Sequence, residues 1–120
     1  MTVTLNAPTR FVEVRIAEYS GLDRTNPLDV NSSASGTSQT ANSGPVTTTS
    51  ANELLVASGT TQTLFNGSGS GYTLRTITQP NGSILQDRIV TSTGTYEAPA
   101  PQVTTSNWVM QLVTFRAPGQ

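Results

Sequence analysis

The sequence predicts an all-β domain: an antiparallel β-sandwich of jelly-roll type with about eight to ten short strands and no substantial helix. Three observations carry that expectation. Apolar residues recur at every second position in several runs, the period of a strand with one buried face. Clusters of Gly, Pro, Asn and Asp separate these runs at short intervals. No stretch of ten residues or more repeats apolar positions at helical spacing.

Val3 and Leu5 alternate with Thr2 and Thr4 in a short strand that stops at Asn6-Ala7-Pro8. Residues 10–19, RFVEVRIAEY, make the clearest strand. Val12, Val14 and Ile16 face one way, fit for a core, and Phe11, Glu13, Arg15, Ala17 and Tyr19 face the other. Residues 20–27 form a loop, because Gly21, Asp23 and Asn26-Pro27 supply turn chemistry. Leu28, Val30 and Ala34 begin another strand. From Asn31 to Ser50 nearly every residue is Ser, Thr, Gly, Asn, Gln or Ala, a linker-like composition. It is read as edge strands and turns, with Val46–Thr49 the firmest part.

ELLVAS, residues 53–58, reads as a buried central strand that 61–65 continue before a flexible loop at Asn66–Gly71. Tyr72–Thr78 alternates, with Tyr72, Leu74 and Thr76 opposite Thr73, Arg75 and Ile77. Asn81-Gly82 is a hairpin signal, and Ile84–Thr91 is the partner strand. Thr93–Tyr96 is short, and Pro99 and Pro101 exclude a central strand after it. Trp108–Phe115 is apolar on both faces, which suits a central strand or one at a subunit contact.

Composition bounds the chemistry. At 120 residues the chain fits one domain spanning 1–120. It has no His, Cys or Lys, and 34 of its residues are Ser or Thr. The commonest general base and the strongest common nucleophile are both absent. Disulfides and thiolate metal sites are excluded as well. Only 34% of residues are hydrophobic, but the net charge is −1, and disorder normally accompanies high net charge. The six arginines are dispersed, which argues against nucleic acid as a partner. No apolar run approaches the roughly 20 residues of a membrane-spanning helix, so membrane insertion is not expected. MTVTLNAPTR lacks the charged and apolar regions of a signal peptide. The hydroxyl-rich, lysine-free composition points to an extracellular or cell-surface setting.

The stretch Val14–Asp23, followed by Asn26-Pro27-Leu28-Asp29, resembles a segment common in secreted and cell-surface bacterial proteins. Asn52–Val56, Gly71–Arg75, Asp87–Val90 and Trp108–Phe115 follow in the same order. Together they resemble the later part of a concanavalin A-like, jelly-roll module. The resemblance covers nearly the whole chain and brings no catalytic residues. It implies a further strand-rich portion upstream of Thr2, hence a fragment or a shortened form with open sheet edges. Unpaired edges recruit strands from other chains.

Candidate sites follow from residue type. Glu13 and Glu18 are five apart and point to opposite faces of a strand, while Glu53, Asp87 and Glu97 sit on separate segments. Glycosidase chemistry needs two carboxyls about 5 to 9.5 Å apart. Gly67-Ser68-Gly69-Ser70-Gly71 imitates a nucleophile elbow, but no histidine exists to build a triad. An enzyme is not expected. Asp23, Asn26 and Asp29 supply hard oxygen ligands for calcium, the one cofactor the chain admits, although they lack EF-hand spacing and are ordinary turn formers. Tyr72 and Tyr96 beside loops, with Tyr19, are the aromatics suited to sugar, whereas Trp108 reads as core. Val3, Leu5, Val109, Val113 and Phe115 are the self-association candidates. The expected function is a non-catalytic extracellular structural or adhesive module of a bacterial surface layer, filament or secreted multidomain protein. Its expected partners are copies of itself or neighbouring domains, joined through sheet edges. A carbohydrate-binding module with a polysaccharide partner is the alternative.

Overall fold

Two long strands, β1 (Leu28–Asn42) and β7 (Pro99–Arg116), pair antiparallel and form one side of the molecule. The computed structural model describes all of residues 1–120 and contains seven strands and no helix. Between the two long strands lie β2 (Val46–Thr47), β3 (Glu53–Thr61), β4 (Thr73–Ile77), β5 (Ile84–Val90) and β6 (Thr95–Tyr96). An antiparallel five-stranded sheet runs β1-β7-β3-β5-β4, and β2 pairs with β6 in a second, two-stranded sheet.

The core face of the large sheet follows from strand alternation. Ala57 lies opposite Leu112 and Gly59 opposite Met110, so these residues share a face with Leu55 and Ile84. They pack against Ala41, Val46, Phe65, Tyr72, Ala98 and Ala100 from the layer above. β7 reaches that layer by bending. Its register against β1 shifts between Ser38↔Ser106 and Thr40↔Pro101, where five steps along β7 match two along β1. Beyond the shift Pro99 lies over the core face, where its carbonyl accepts from Nε2 of Gln86 on β5 at 2.9 Å.

Several expectations are corrected. The Ser/Thr-rich stretch is chiefly one strand of 15 residues, because pairing with apolar β7 supplies the order its own side chains do not. Pro99 and Pro101 lie within a strand after all. Pro101 contributes its carbonyl, which accepts from Asn66 N at 3.1 Å, and this stretch is flanked by β1 and a single bridge at Phe65. The loop at 66–71 is pinned: buried Gln86 accepts from Gly69 N at 2.8 Å, and the Pro99 backbone leaves no room for a side chain at Gly69. The expected hairpin forms as β4 and β5. However, Arg75 is an extra residue between Leu74↔Gln86 and Thr76↔Leu85, so Tyr72 and Ile77 both reach the core although they are five apart.

The largest correction concerns the N-terminal part. Residues 1–27 belong to no strand, and neither Val3–Leu5 nor 10–19 joins a sheet. Residues 11–19 instead form an extended arm on the outer face of the large sheet, with its faces reversed. Val12, Val14 and Ile16 are 48%, 48% and 64% exposed, while Glu13, Arg15 and Tyr19 turn inward. The reason is chemical complementarity. The sheet offers Ser58, Thr78, Ser83 and Asp87 there, and those groups match polar side chains.

Candidate functional site

The arm is held by side chains alone. Ser83 Oγ donates to Glu13 Oε2 at 2.5 Å. Arg15 donates from Nη1 to Thr78 Oγ1 at 3.0 Å and from Nη2 to Ser58 Oγ at 3.3 Å, and it lies 3.5 Å from Glu13 Oε2. Tyr19 OH donates to Asp87 Oδ2 at 2.7 Å. Asp87 also takes a two-pronged contact from Arg75, at 2.6 Å from Nε and 2.9 Å from Nη2. Burial alone raises the Asp87 carboxyl, but hydrogen bonds from Arg75 and Tyr19 outweigh it and hold the group below its ordinary range. Burial, with the hydrogen bond to Asp87, pushes the Tyr19 phenol up to about 12.

No backbone hydrogen bond forms anywhere in residues 1–22; the first is Asp23 N to Arg116 O at 2.9 Å. The arm is therefore an extended ribbon with both backbone edges free and an apolar stripe facing outward. The arm crosses β3, β5 and the β4–β5 connection, and on the far side of the sheet the edge at β1 is open. β1 is an outer strand with β7 as its one neighbour, and Val30–Asn42 carries no charge and no proline. Two shallow depressions on β1, β7 and β3 contain no charged residue in their linings.

The self-association candidates separate. Val3 and Leu5 are exposed on a segment without a partner. Val109, Val113 and Phe115 lie on the outer face of β7. Yet β7 is interior, paired with β1 on one side and β3 on the other, so its backbone cannot recruit a strand there. The open edges of the large sheet belong to β1 and β4, and the backbone of the arm is unpaired as well.

The three tyrosines serve separate internal contacts. Tyr19 ties the arm down. Tyr72 is 7% exposed, and its OH donates to Glu97 O at 3.0 Å; burial pushes its phenol up to about 12. Tyr96 is half-buried, carries the Arg88 guanidinium 5.4 Å from its ring centroid and donates to Ser92 O at 2.8 Å. Trp108 packs against the core, covers Gly36 and donates to Ser38 Oγ at 2.8 Å.

The loop set Asp23, Asn26 and Asp29 is taken up by local bonding. Asp23 Oδ1 accepts from the backbone of Thr25 and Asn26, both at 2.8 Å, and these bonds hold its carboxyl below the usual range. Asp29 accepts from Thr49 N at 2.7 Å and from the Thr49 hydroxyl, and it pairs with Arg116. The cation facing Asp29 is thus a guanidinium. No group of three or more carboxylates gathers anywhere in the structure.

Sequence reasoning missed the cluster that Asp29 does join. Glu53, at the head of β3, is buried beside it, and Arg116 completes the group. The one available signal was a lone acid opening an apolar run expected to be buried.

No protein-family model matches the chain, and no curated protein or solved structure matches it.

Proposed function

We propose that this chain is a non-catalytic structural module that associates with further copies of itself through its N-terminal arm. The observation that carries this reading is residues 11–19, whose backbone is unpaired and whose Val12, Val14 and Ile16 face solvent. An extended segment with free backbone groups is a template for strand addition, in which main-chain bonds hold the partner and alternate side chains select it. Antiparallel pairing of two arms about Val14 sets Val12 opposite Ile16 of the second copy. Such β-branched cross-strand pairs contribute about 0.2–1 kcal/mol each. With a net charge of −1, copies of the chain repel one another little.

The same reading supplies the finer architecture. The core face of the large sheet lies beneath β2, β6 and the bent end of β7, while the paired arms begin a layer over the opposite face. That completes a jelly-roll-like sandwich of the concanavalin A-like kind which the sequence resembles. A bacterial surface or extracellular filament is the setting that fits a cysteine-free, hydroxyl-rich chain.

The test is molar mass by light scattering over a range of concentrations. The parent protein should rise toward a dimer or higher species, and Val14→Asp and Ile16→Asp should stay monomeric with unchanged circular dichroism. A parent protein that remains monomeric at millimolar concentration would overturn the proposal.

A further inference from the structure

A buried oxygen without a partner lies at the junction of β1, β3 and β7. Glu53 is 2% exposed; its Oε1 accepts from Ser50 N at 3.2 Å, and its Oε2 is buried with no hydrogen-bond partner. The Asp29 side chain beside it is fully buried, within hydrogen-bond reach of Glu53. A buried charged oxygen left unsatisfied is strongly unfavourable, because it has given up its water without gaining a partner.

The one cation here cannot satisfy it. Arg116 lies opposite Glu53 in the register of β7 and β3, but a guanidinium has five N–H groups, and all five are engaged. Nε donates to Ser50 Oγ at 3.2 Å. Nη1 serves the carbonyls of Asn26, at 3.3 Å, and Leu28. Nη2 serves Asp29 and, at 3.3 Å, Thr49 Oγ1. Two ionised carboxyls with one guanidinium would leave a net negative charge buried, which protein interiors do not tolerate without further partners. One proton makes the group neutral, and it belongs on the carboxyl that Arg116 does not touch.

We infer that Glu53 is protonated in the folded protein, that its Oε2–H donates to Asp29, and that this carboxyl–carboxylate clamp opens as pH rises. The groups facing Glu53 are Asp29 from β1, Arg116 and Thr114 from β7, Ser50 from the preceding loop, and apolar Val90 opposite it on β5. Asp23 adds a further charge near Arg116. Burial and the proximity of Asp29 raise the Glu53 carboxyl above its ordinary 4.5, although Thr114 and Ser50 pull the other way. Burial would also raise Asp29, but the Thr49 bonds, Glu53 and Arg116 hold it below 3.8. The signs define a window. The Glu53 contribution is complete below its unfolded value and is lost as pH rises through the raised folded value; the Asp29 contribution is lost as pH falls through the lowered one. Above the window a second negative charge is forced against Asp29 at the start of β1.

Carbon-13 titration of the glutamate carboxyls in the unmodified protein tests this, together with urea unfolding of the parent and Glu53→Gln across pH 4 to 9. The Glu53 carboxyl should titrate above the ordinary glutamate value. The parent should lose stability on the alkaline side, whereas Glu53→Gln, whose amide still donates to Asp29, should not. A Glu53 carboxyl that titrates at or below the ordinary glutamate value overturns the inference, even if the variant fails to fold. The same alkaline loss in parent and variant overturns it too.

Discussion

At Gly59 and Gly69 an added methyl would meet close neighbours, of different kinds. An added Cβ at Gly59 would meet Met110 Cε at 2.7 Å and the Phe65 ring at 3.0 Å, both movable side-chain atoms. At Gly69 it would meet the Pro99 carbonyl oxygen at 2.1 Å, which is backbone in a pinned strand. Urea midpoints should therefore fall further for Gly69→Ala than for Gly59→Ala, with the latter near the roughly 1–3 kcal/mol of ordinary overpacking. The reverse order would mean that the 66–71 loop yields freely. Single residues were legible where chemistry was missing altogether, as with the absent histidine and cysteine, and where apolar context was strong, as with Trp108. Tyr72 was not. A neighbouring glycine loop reads as exposure, but the Glu97 carbonyl that draws its phenol inward is 25 positions away.

Among the elements, the β4–β5 hairpin and the central strands β3 and β7 could be read because contrast in side chains and local turn chemistry agree there. The strand β1 could not. Its Ser, Thr, Gly and Ala offer no apolar period, and its order comes from β7, which follows it by more than 50 residues. The arm shows a different limit. Period-two alternation identifies an extended segment with two unlike faces, but it does not say which face finds a partner or whether the backbone does. Here Glu13, Arg15 and Tyr19 found theirs and the valines did not. Trypsin gives a direct reading, since the chain has six arginines and no lysine. Cleavage after exposed Arg10, in a segment without backbone bonds, should precede cleavage after Arg88 within β5. First cleavage at Arg88 would show that the hairpin, and not the arm, is the weaker element.

For the whole molecule, the 12-residue core cluster lies on one side of the large sheet, and the other side mixes apolar residues such as Leu54, Leu85 and Val113 with the polar groups that hold the arm across part of it. The apolar stripe on the arm has nothing over it in a single copy, and at the far side of the sheet the Val30–Asn42 part of β1 is an uncharged, unpaired edge. Natural sheets usually protect such edges with lysine, proline or bulges. β1 carries neither residue, and its irregularities fall toward its two ends. The proposed association through the arm would need no reactive group, in keeping with a chain without histidine or cysteine. Hydrogen exchange at residues 11–19, measured at micromolar and at millimolar protein, addresses this most directly. Protection of those amides that appears only in the concentrated sample is the predicted result; amides that exchange freely at both concentrations would contradict it.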